Sequence, residues 1–439
     1  MNQEHKPVPG KTAPGDAGVI ARTLAHRLFG LVLRRGQNFG DAVVALPELG
    51  RLPERDRAFV RLLVLLTLRR LGQIDALLAP HVQLKTTPGP VVDVLRLTAA
   101  QLLWLKTPPH AAVDTAVVLT EQLKQPRLKG LVNAVARKIS VMDPPANDPQ
   151  LILPGWLYQS WRDAYGMTLL NSIAQQQMKE PPLDITVKGD ATGWAEKFGA
   201  EILPTGSLRL QNAGRVEDLP GYAEGAWWVQ DAAAALPVRL LGDVRGKTIV
   251  DLGAAPGGKT AQLAAAGARV IAVERNPARA AVLRQNLARL KLAAEVVVAD
   301  AGVWRPEGAV DGVLLDAPCT ATGTLRRHPE IAWLKDRLDV QKLAGTQAAL
   351  LRHVTAWLPT GVPLVYAVCS LQPEEGAMQI DAVLAANQAL RRIPVTAALL
   401  GGWSEGLTAA GDLRTLPCHE AKQGGMDGFY AALLQKDAV

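Results

Sequence analysis

The sequence predicts three parts: an all-α bundle, a small mixed α/β unit, and a larger α/β domain on a parallel sheet. Three observations predict this. Apolar residues recur at helical spacing over residues 16–140, where almost nothing reads as a strand. From Lys247 onward the apolar runs TIVDLGA, RVIAVER, AEVVVADA, VDGVLLDAP and PLVYAVCS alternate with helical stretches, the pattern of βαβ units. Between them, LDITVK reads as a short strand, ATGWAEKFG as a helix and SLRLQNAG as a strand and turn.

In chain order, the polar, Pro- and Gly-rich stretch 1–15 predicts a disordered tail with no apolar signal core. In the bundle (16–140), Ile20, Leu24, Leu28, Leu31 and Val32 mark one helix face. Phe59, Leu62, Leu63 and Leu66 mark a second, and Val94, Leu97, Ala100 and Leu103 a third. VMDPPANDPQ, 141–150, reads as a linker. The small α/β unit is expected over 151–235, opening on a helix from Trp156 to Met178. The sheet domain is expected over 236–439, and in such sheets ligands bind outside the carboxyl ends of the strands.

Length and composition agree. A chain of 439 residues with 48% apolar and 20% charged residues is globular and holds two or three domains. No run of about 18 apolar residues occurs, so no membrane span is expected. Three cysteines are too few and too scattered for a disulfide framework. They point to a reducing, cytoplasmic setting. The net charge of +7 suits a polyanionic partner such as RNA.

The first strand of the sheet domain runs into DLGAAPGGKT, which fits the phosphate-loop expression from Gly253 to Thr260. VLLDAP resembles the acidic strand that would hold magnesium, so a nucleotide hydrolase is one reading. Three features oppose it. Asp251 stands just before the loop, where it would repel a triphosphate but accept hydrogen bonds from an amino acid's ammonium group. Pro256 removes a backbone N–H donor. Glu274 ends the second strand about twenty residues on, where an acid suits a ribose hydroxyl pair. Asp300 ends the third strand, where it can accept from an adenine amino group, and Asp316 ends the fourth. The site described is one for S-adenosyl-L-methionine.

Cys319 follows the fourth strand and Cys369 the fifth. A thiolate that adds to carbon 6 of a pyrimidine makes carbon 5 an enamine carbon, able to attack a sulfonium methyl group. Both thiols qualify as that nucleophile. Cys418, in RTLPCHE, reads as a buried small hydrophobe.

DLGAAPGGKT, VERN, DAPCTATGTLRRHPE and YAVCSLQPEEG resemble the motifs of the RNA cytosine-5 methyltransferases of the Nol1/Nop2/Sun type, over roughly residues 150–439. RTLAHRLF, RDRAFVRLLVLLTLRRLGQIDALLAP, LRLTAAQLLWL and LVNAVARKI resemble the NusB-type RNA-binding domain. The resemblance implies an all-α NusB-like bundle, a small RRM-like α/β domain and a Rossmann-type methyltransferase domain. It implies that Cys369 is the nucleophile and that Cys319 serves product release or proton removal. Gly253, Ala254, Ala255, Pro256, Gly257, Gly258 and Lys259 would bind S-adenosyl-L-methionine, with Glu274 on the ribose, Asp300 near the adenine and Asp316 near the reacting end. Pro318 would offer its carbonyl to the cytosine amine. The implied partner is small-subunit (16S) ribosomal RNA, naked or in early subunit assembly, with no DNA, and the protein is expected to be a monomer. Departures from the family pattern are Glu274 for Asp, Val368 for Thr and Thr320 for Ser.

Arg326, Arg327 and His328 follow the Cys319 loop and are expected to hold phosphates flanking the target base, contacts that position a strand without reading it. Trp227 and Trp228 read as core, and the following Gln230–Asp231 pair as the entry to a helix. An alternative without catalysis is an RNA-binding scaffold whose methyltransferase fold is vestigial.

Overall fold

Leu24, Leu28 and Val32 recur every four residues on the helix Pro14–Leu33, and all three are buried, as the periodicity predicts. The computed structural model describes residues 14–211 and 213–437. The expected tail therefore lies outside the described residues, except that Pro14 and Gly15 begin this helix. The chain divides into two compact units, 1–155 with 328–334, and 156–327 with 335–439.

The first unit is helical. Around Pro14–Leu33 pack Glu54–Arg69, Leu71–Leu78, Gly89–Leu103, Pro109–Gln122 and Lys129–Ile139. Gly89–Leu103 is buried on nearly every side, Asp93, Thr98 and Gln101 included. Ile20 and Leu62, expected on buried faces, are instead exposed at the rims of their helices. The segment 328–334, expected with the sheet domain, belongs to this unit. There Trp333 Nε1 donates to the Leu68 carbonyl at 2.9 Å, and Glu330 Oε1 accepts from Phe39 N at 3.3 Å.

The second unit carries two sheets. The smaller is antiparallel, built from β1 (Leu183–Val187), β2 (Glu201–Ile202), β3 (Leu208–Leu210) and β4 (Trp227–Val229), in the order β2-β3-β1-β4. Trp227 and Trp228 are buried in β4 as expected, and Asp231 caps the helix Ala232–Arg239 by accepting from Ala233 N at 2.9 Å.

The larger sheet contains β5 (Thr248–Leu252), β6 (Arg269–Glu274), β7 (Glu295–Val298), β8 (Gly312–Asp316) and β9 (Pro363–Val368). These are the five expected runs, and they pair in parallel in the order β7-β6-β5-β8-β9. The sheet is not wholly parallel. β10 (Leu390–Ile393), β11 (Leu413–Thr415) and β12 (Phe429–Lys436) extend it, with β12 antiparallel to β9, β10 and β11. The chain reverses direction of travel across the sheet between β5 and β8, so the crevice at their carboxyl ends is the topological switch point.

Candidate active site

At that switch point lies a cavity of about 360 Å³. Its lining includes Gly253, Ala255, Glu274, Asp300, Asp316, Pro318, Cys319 and Cys369, so most of the expected residues converge on one space. The volume is within the range of small-ligand sites. Val273, Leu315 and Leu350 add apolar wall.

Each side chain is aimed by its local backbone. Gly253 leaves β5 with φ +82°, and a Cβ there would lie 2.3 Å from the Asp316 carbonyl oxygen. Only glycine lets the β5 and β8 ends approach this closely. Glu274 is buried. Its Oε1 accepts from Asn276 N at 2.8 Å, and Asn276 in turn caps the helix Pro277–Leu290. The other oxygen, Oε2, has no hydrogen-bond donor, with Arg279 Nη1 at 3.6 Å. A buried carboxylate oxygen without a donor, at the cavity wall, suits a ligand hydroxyl. Asp300 is exposed, and its Oδ1 accepts from Gly302 N at 2.8 Å.

The glycine loop contributes less wall than expected. Gly253 and Ala255 line the cavity, whereas Ala254, Pro256, Gly257, Gly258 and Lys259 do not. Gly257 faces Leu283 of the helix behind it, and Gly258 faces Gln230. Lys259 turns inward, and its Nζ donates to Asp316 Oδ2 at 2.8 Å. Burial lowers the ammonium pKa, but the Asp316 charge and hydrogen bond outweigh it, so the net shift is upward. Thr260 Oγ1 donates to Asp251 Oδ2 at 2.6 Å. The lysine and hydroxyl that a triphosphate and magnesium would require are thus both engaged, which opposes the nucleotide hydrolase. Asp251 itself does not reach the cavity as expected. It is wholly buried, burial pushes its carboxyl up to about 6, and its Oδ1 has no hydrogen-bond partner.

The two thiols meet. Cys319 Sγ lies 3.5 Å from Cys369 Sγ, and both residues are half-buried. Their surroundings differ in sign. Hydrogen bonding to Cys369, burial and the nearby Glu375 carboxylate push the Cys319 thiol well above its usual range. Cys369 instead acts electrostatically on the cations Lys259 and Arg327. The Pro318 carbonyl accepts from Gln347 Nε2 at 2.8 Å, which leaves a second lone pair for another donor.

The expected phosphate contacts are corrected. Arg326 is 1% exposed, its Nη1 donates to the Gly424 carbonyl, and its Nη2 lies 3.3 Å from Asp231 Oδ2. It braces the loop from within. Arg327 donates through Nε to Asp427 Oδ2 at 2.9 Å and is partly exposed. Burial alone would lower its guanidinium pKa, but the Asp427 and Asp231 carboxylates outweigh it, so the net shift is upward. His328 lies in the helical unit, 3.4 Å from Glu330 Oε1. The sequence reading missed Gln347 and Glu375. Both are buried; Glu375 had a signal in QPEEG just beyond Cys369, and Gln347, within the helix Arg337–Trp357, had none. Among the described residues no group of three or more His, Cys, Asp or Glu is placed to hold a metal ion, and no helix is long and apolar enough to cross a membrane.

Comparison with known proteins gives the family. The family described as 16S rRNA methyltransferase RsmB/F matches residues 238–435, and the NusB family matches residues 20–140. Curated relatives called ribosomal RNA small subunit methyltransferase B are similar over most of their length. One from Salmonella arizonae is 35% identical across 83% of this chain and 89% of its own. One from Salmonella typhi is 33% identical across 94% and 98%. In fold, the chain is similar to the solved structure of PH0851, with a TM-score of 0.77 at 22% identity over 97% of this chain and 100% of that one. It also resembles NSun6 from Pyrococcus horikoshii with SFG, with a TM-score of 0.55 at 19% identity over 65% and 99%.

Proposed function

Because this chain belongs to the RsmB/F family of 16S rRNA methyltransferases, and so is an S-adenosylmethionine-dependent ribosomal RNA methyltransferase, we propose that it methylates carbon 5 of a cytosine through a covalent Cys369 adduct. One observation carries the choice of chemistry. Two thiols stand 3.5 Å apart at a cavity wall. A simple transfer to a nitrogen or oxygen nucleophile needs neither thiol, whereas addition to carbon 6 and later elimination use both.

The cofactor supplies an electrophilic methyl group when bound. The residues present fit it: Glu274 Oε2 lacks a hydrogen-bond donor at the wall, and Gly253 clears the approach to Asp316. Glu274 would hold the ribose, Asp300 the adenine side, and Gly253 and Ala255 the amino-acid side. The thiolate of Cys369 adds to carbon 6 of a cytosine extruded from its stack. The free lone pair of Pro318 accepts from the cytosine amine. A thiol that holds its proton tightly becomes the stronger base once ionised. Cys319, 3.5 Å from the nucleophile, first gives its own proton to solvent; its thiolate then takes the carbon 5 proton as the carbon 6–sulfur bond breaks and Cys369 leaves as the thiolate. The substrate is proposed to be small-subunit ribosomal RNA, with the basic helical unit adding sequence-independent affinity. A monomer in the cytoplasm suffices for this chemistry.

The test is methyl transfer from labelled donor to unmethylated 16S ribosomal RNA by wild type, Cys369→Ala and Cys319→Ala. Product is expected from wild type alone, and a denaturant-stable protein–RNA adduct from Cys319→Ala. Transfer that survives Cys369→Ala would reverse the roles. No transfer by wild type to any RNA would favour the scaffold.

A further inference from the structure

Glu375 lies outside the cavity and touches neither thiol by hydrogen bond, yet both thiol-bearing loops end on it. It is fully buried. Its Oε1 accepts from Thr320 N at 2.8 Å, and its Oε2 accepts from Thr320 Oγ1 at 2.5 Å. Thr320 is the residue after Cys319. Oε2 also accepts from Ser370 Oγ at 2.5 Å, and Ser370 is the residue after Cys369. Gln347 Nε2 donates to Oε1 at 3.2 Å and to the Pro318 carbonyl at 2.8 Å. One carboxylate is therefore fastened to the residue following each sulfur and, through one amide, to the residue preceding Cys319.

We propose that Glu375 is the positioning residue that sets the distance between the Cys319 and Cys369 sulfurs, with Gln347 carrying the same constraint to the Pro318 carbonyl. The inference rests on the two-thiol reading above. A carboxylate suits the task because it only accepts, and each oxygen takes two donors. Among neutral side chains only the isosteric amide, with the two hydroxyls rotated to accept, matches the backbone N–H, two hydroxyls and amide that meet here. Thr320, Gln347 and Ser370 are buried with it, so each donor left without it would be a buried orphan. Other ties join the two loops without Glu375. Gly323 N donates to the Cys369 carbonyl at 3.0 Å, and Leu371 N to Thr322 Oγ1 at 3.1 Å. These keep the loops joined when Glu375 is removed, so its loss acts on spacing rather than on folding. Reactions between positioned groups lose about 10²-fold for a displacement of roughly 1 Å.

The sulfurs report their own spacing. Diamide accepts two electrons and two protons from a thiol pair, becoming the hydrazine as the S–S bond forms. The sulfurs must close from 3.5 Å to about 2.05 Å. The rate of the Cys319–Cys369 disulfide, followed by peptide mass in the full-length protein, is compared for wild type, Glu375→Ala and Glu375→Gln. Glutamine keeps an acceptor for Thr320 N and Gln347, and its amide can donate to the rotated hydroxyls. Glu375→Ala is expected to close the disulfide about tenfold or more slowly. Its methyl transfer kcat should fall by about 10²-fold, with KM for RNA and cofactor affinity within about threefold. Glu375→Gln is expected to stay within about threefold of the wild-type disulfide rate. A wild-type rate in Glu375→Ala overturns the proposal, as does a rate in Glu375→Gln as low as that of Glu375→Ala. Should Glu375→Ala not fold, the double variant Thr320→Val, Ser370→Ala removes both hydroxyl ties and is judged by the same rates. Wild type that forms the disulfide but methylates no RNA would sink the functional reading and leave the clamp tested on its own.

Discussion

Lys259 Nζ and Asp316 Oδ2 lie 2.8 Å apart, so the lysine of a phosphate-loop expression is committed to the carboxylate at the end of the fourth parallel strand. That pairing separates two chemistries that share one motif. Lys259 is 9% exposed, and its charge orients Asp316 at the cavity wall next to the thiols. Lys259→Met is expected to lower methyl transfer by about 10²-fold, because it removes a fixed charge from a water-poor site. Wild type should release no phosphate from ATP or GTP with magnesium. Labelled transfer and phosphate release check both statements.

Gly253→Ala tests the close approach of β5 and β8. The residue must take φ +82° and place a Cβ 2.3 Å from the Asp316 carbonyl oxygen. The conformation alone costs about 1–2 kcal/mol, and the clash forces the strand ends apart. Cofactor affinity by calorimetry is expected to fall about tenfold or more. Gly242→Ala is the control. It also has positive φ, but nothing lies within 4 Å of its Cβ position. It should cost about 1–2 kcal/mol of stability and leave cofactor affinity unchanged.

Asp251 makes stability depend on pH in a stated direction. Burial raises its carboxyl to about 6 in the folded chain, against about 3.9 when unfolded. Between those values the folded state binds more protons, so this group's contribution to stability falls as pH rises through the window. The loss approaches about 3 kcal/mol above pH 6. Asp251→Asn keeps an acceptor for Thr260 and removes the titration. Denaturant unfolding from pH 4 to 8 should show the variant gaining on wild type as pH rises, and parallel curves would contradict the assignment.

Arg326 and Arg327 are adjacent in sequence and are expected to respond differently. Arg326→Ala leaves Asp231 and Asp427 without the guanidinium between them and should cost about 3–5 kcal/mol of stability. The salt dependence of RNA binding should not change in Arg326→Ala, since a buried cation releases no counterions from RNA. Unfolding curves and a salt titration of binding decide this.

The strand-end residues were legible because alternation alone fixes where a parallel strand stops and which end faces a ligand. Glu274, Asp316, Cys319 and Cys369 were found that way. Direction was not legible. RRH announces charge, but burial of Arg326 depends on Asp231 and Gly424, which lie 95 and 98 positions away. The role of Glu375 is not legible for the same reason, since Thr320 reaches it from 55 positions earlier. The glycine loop was overread, because a motif names residues in a row while a loop turns only some of them toward one space. Strand β12 carries a plain apolar run, FYAALLQK, but its antiparallel insertion beside β9 follows from the tertiary fold rather than from local pattern.

The strand that delivers Cys369 thus has neighbours of very different origin. On one side β8 is made before it, and on the other β12 emerges only after β10 and β11 have been synthesised. During translation β9 waits as an open sheet edge, apolar and able to pair with another chain. A cell making this protein has reason to shield that edge until residues 429–436 arrive. Closure of that edge is long-range, so the strand that carries Cys369 is secured late, once residues 429–436 have been made.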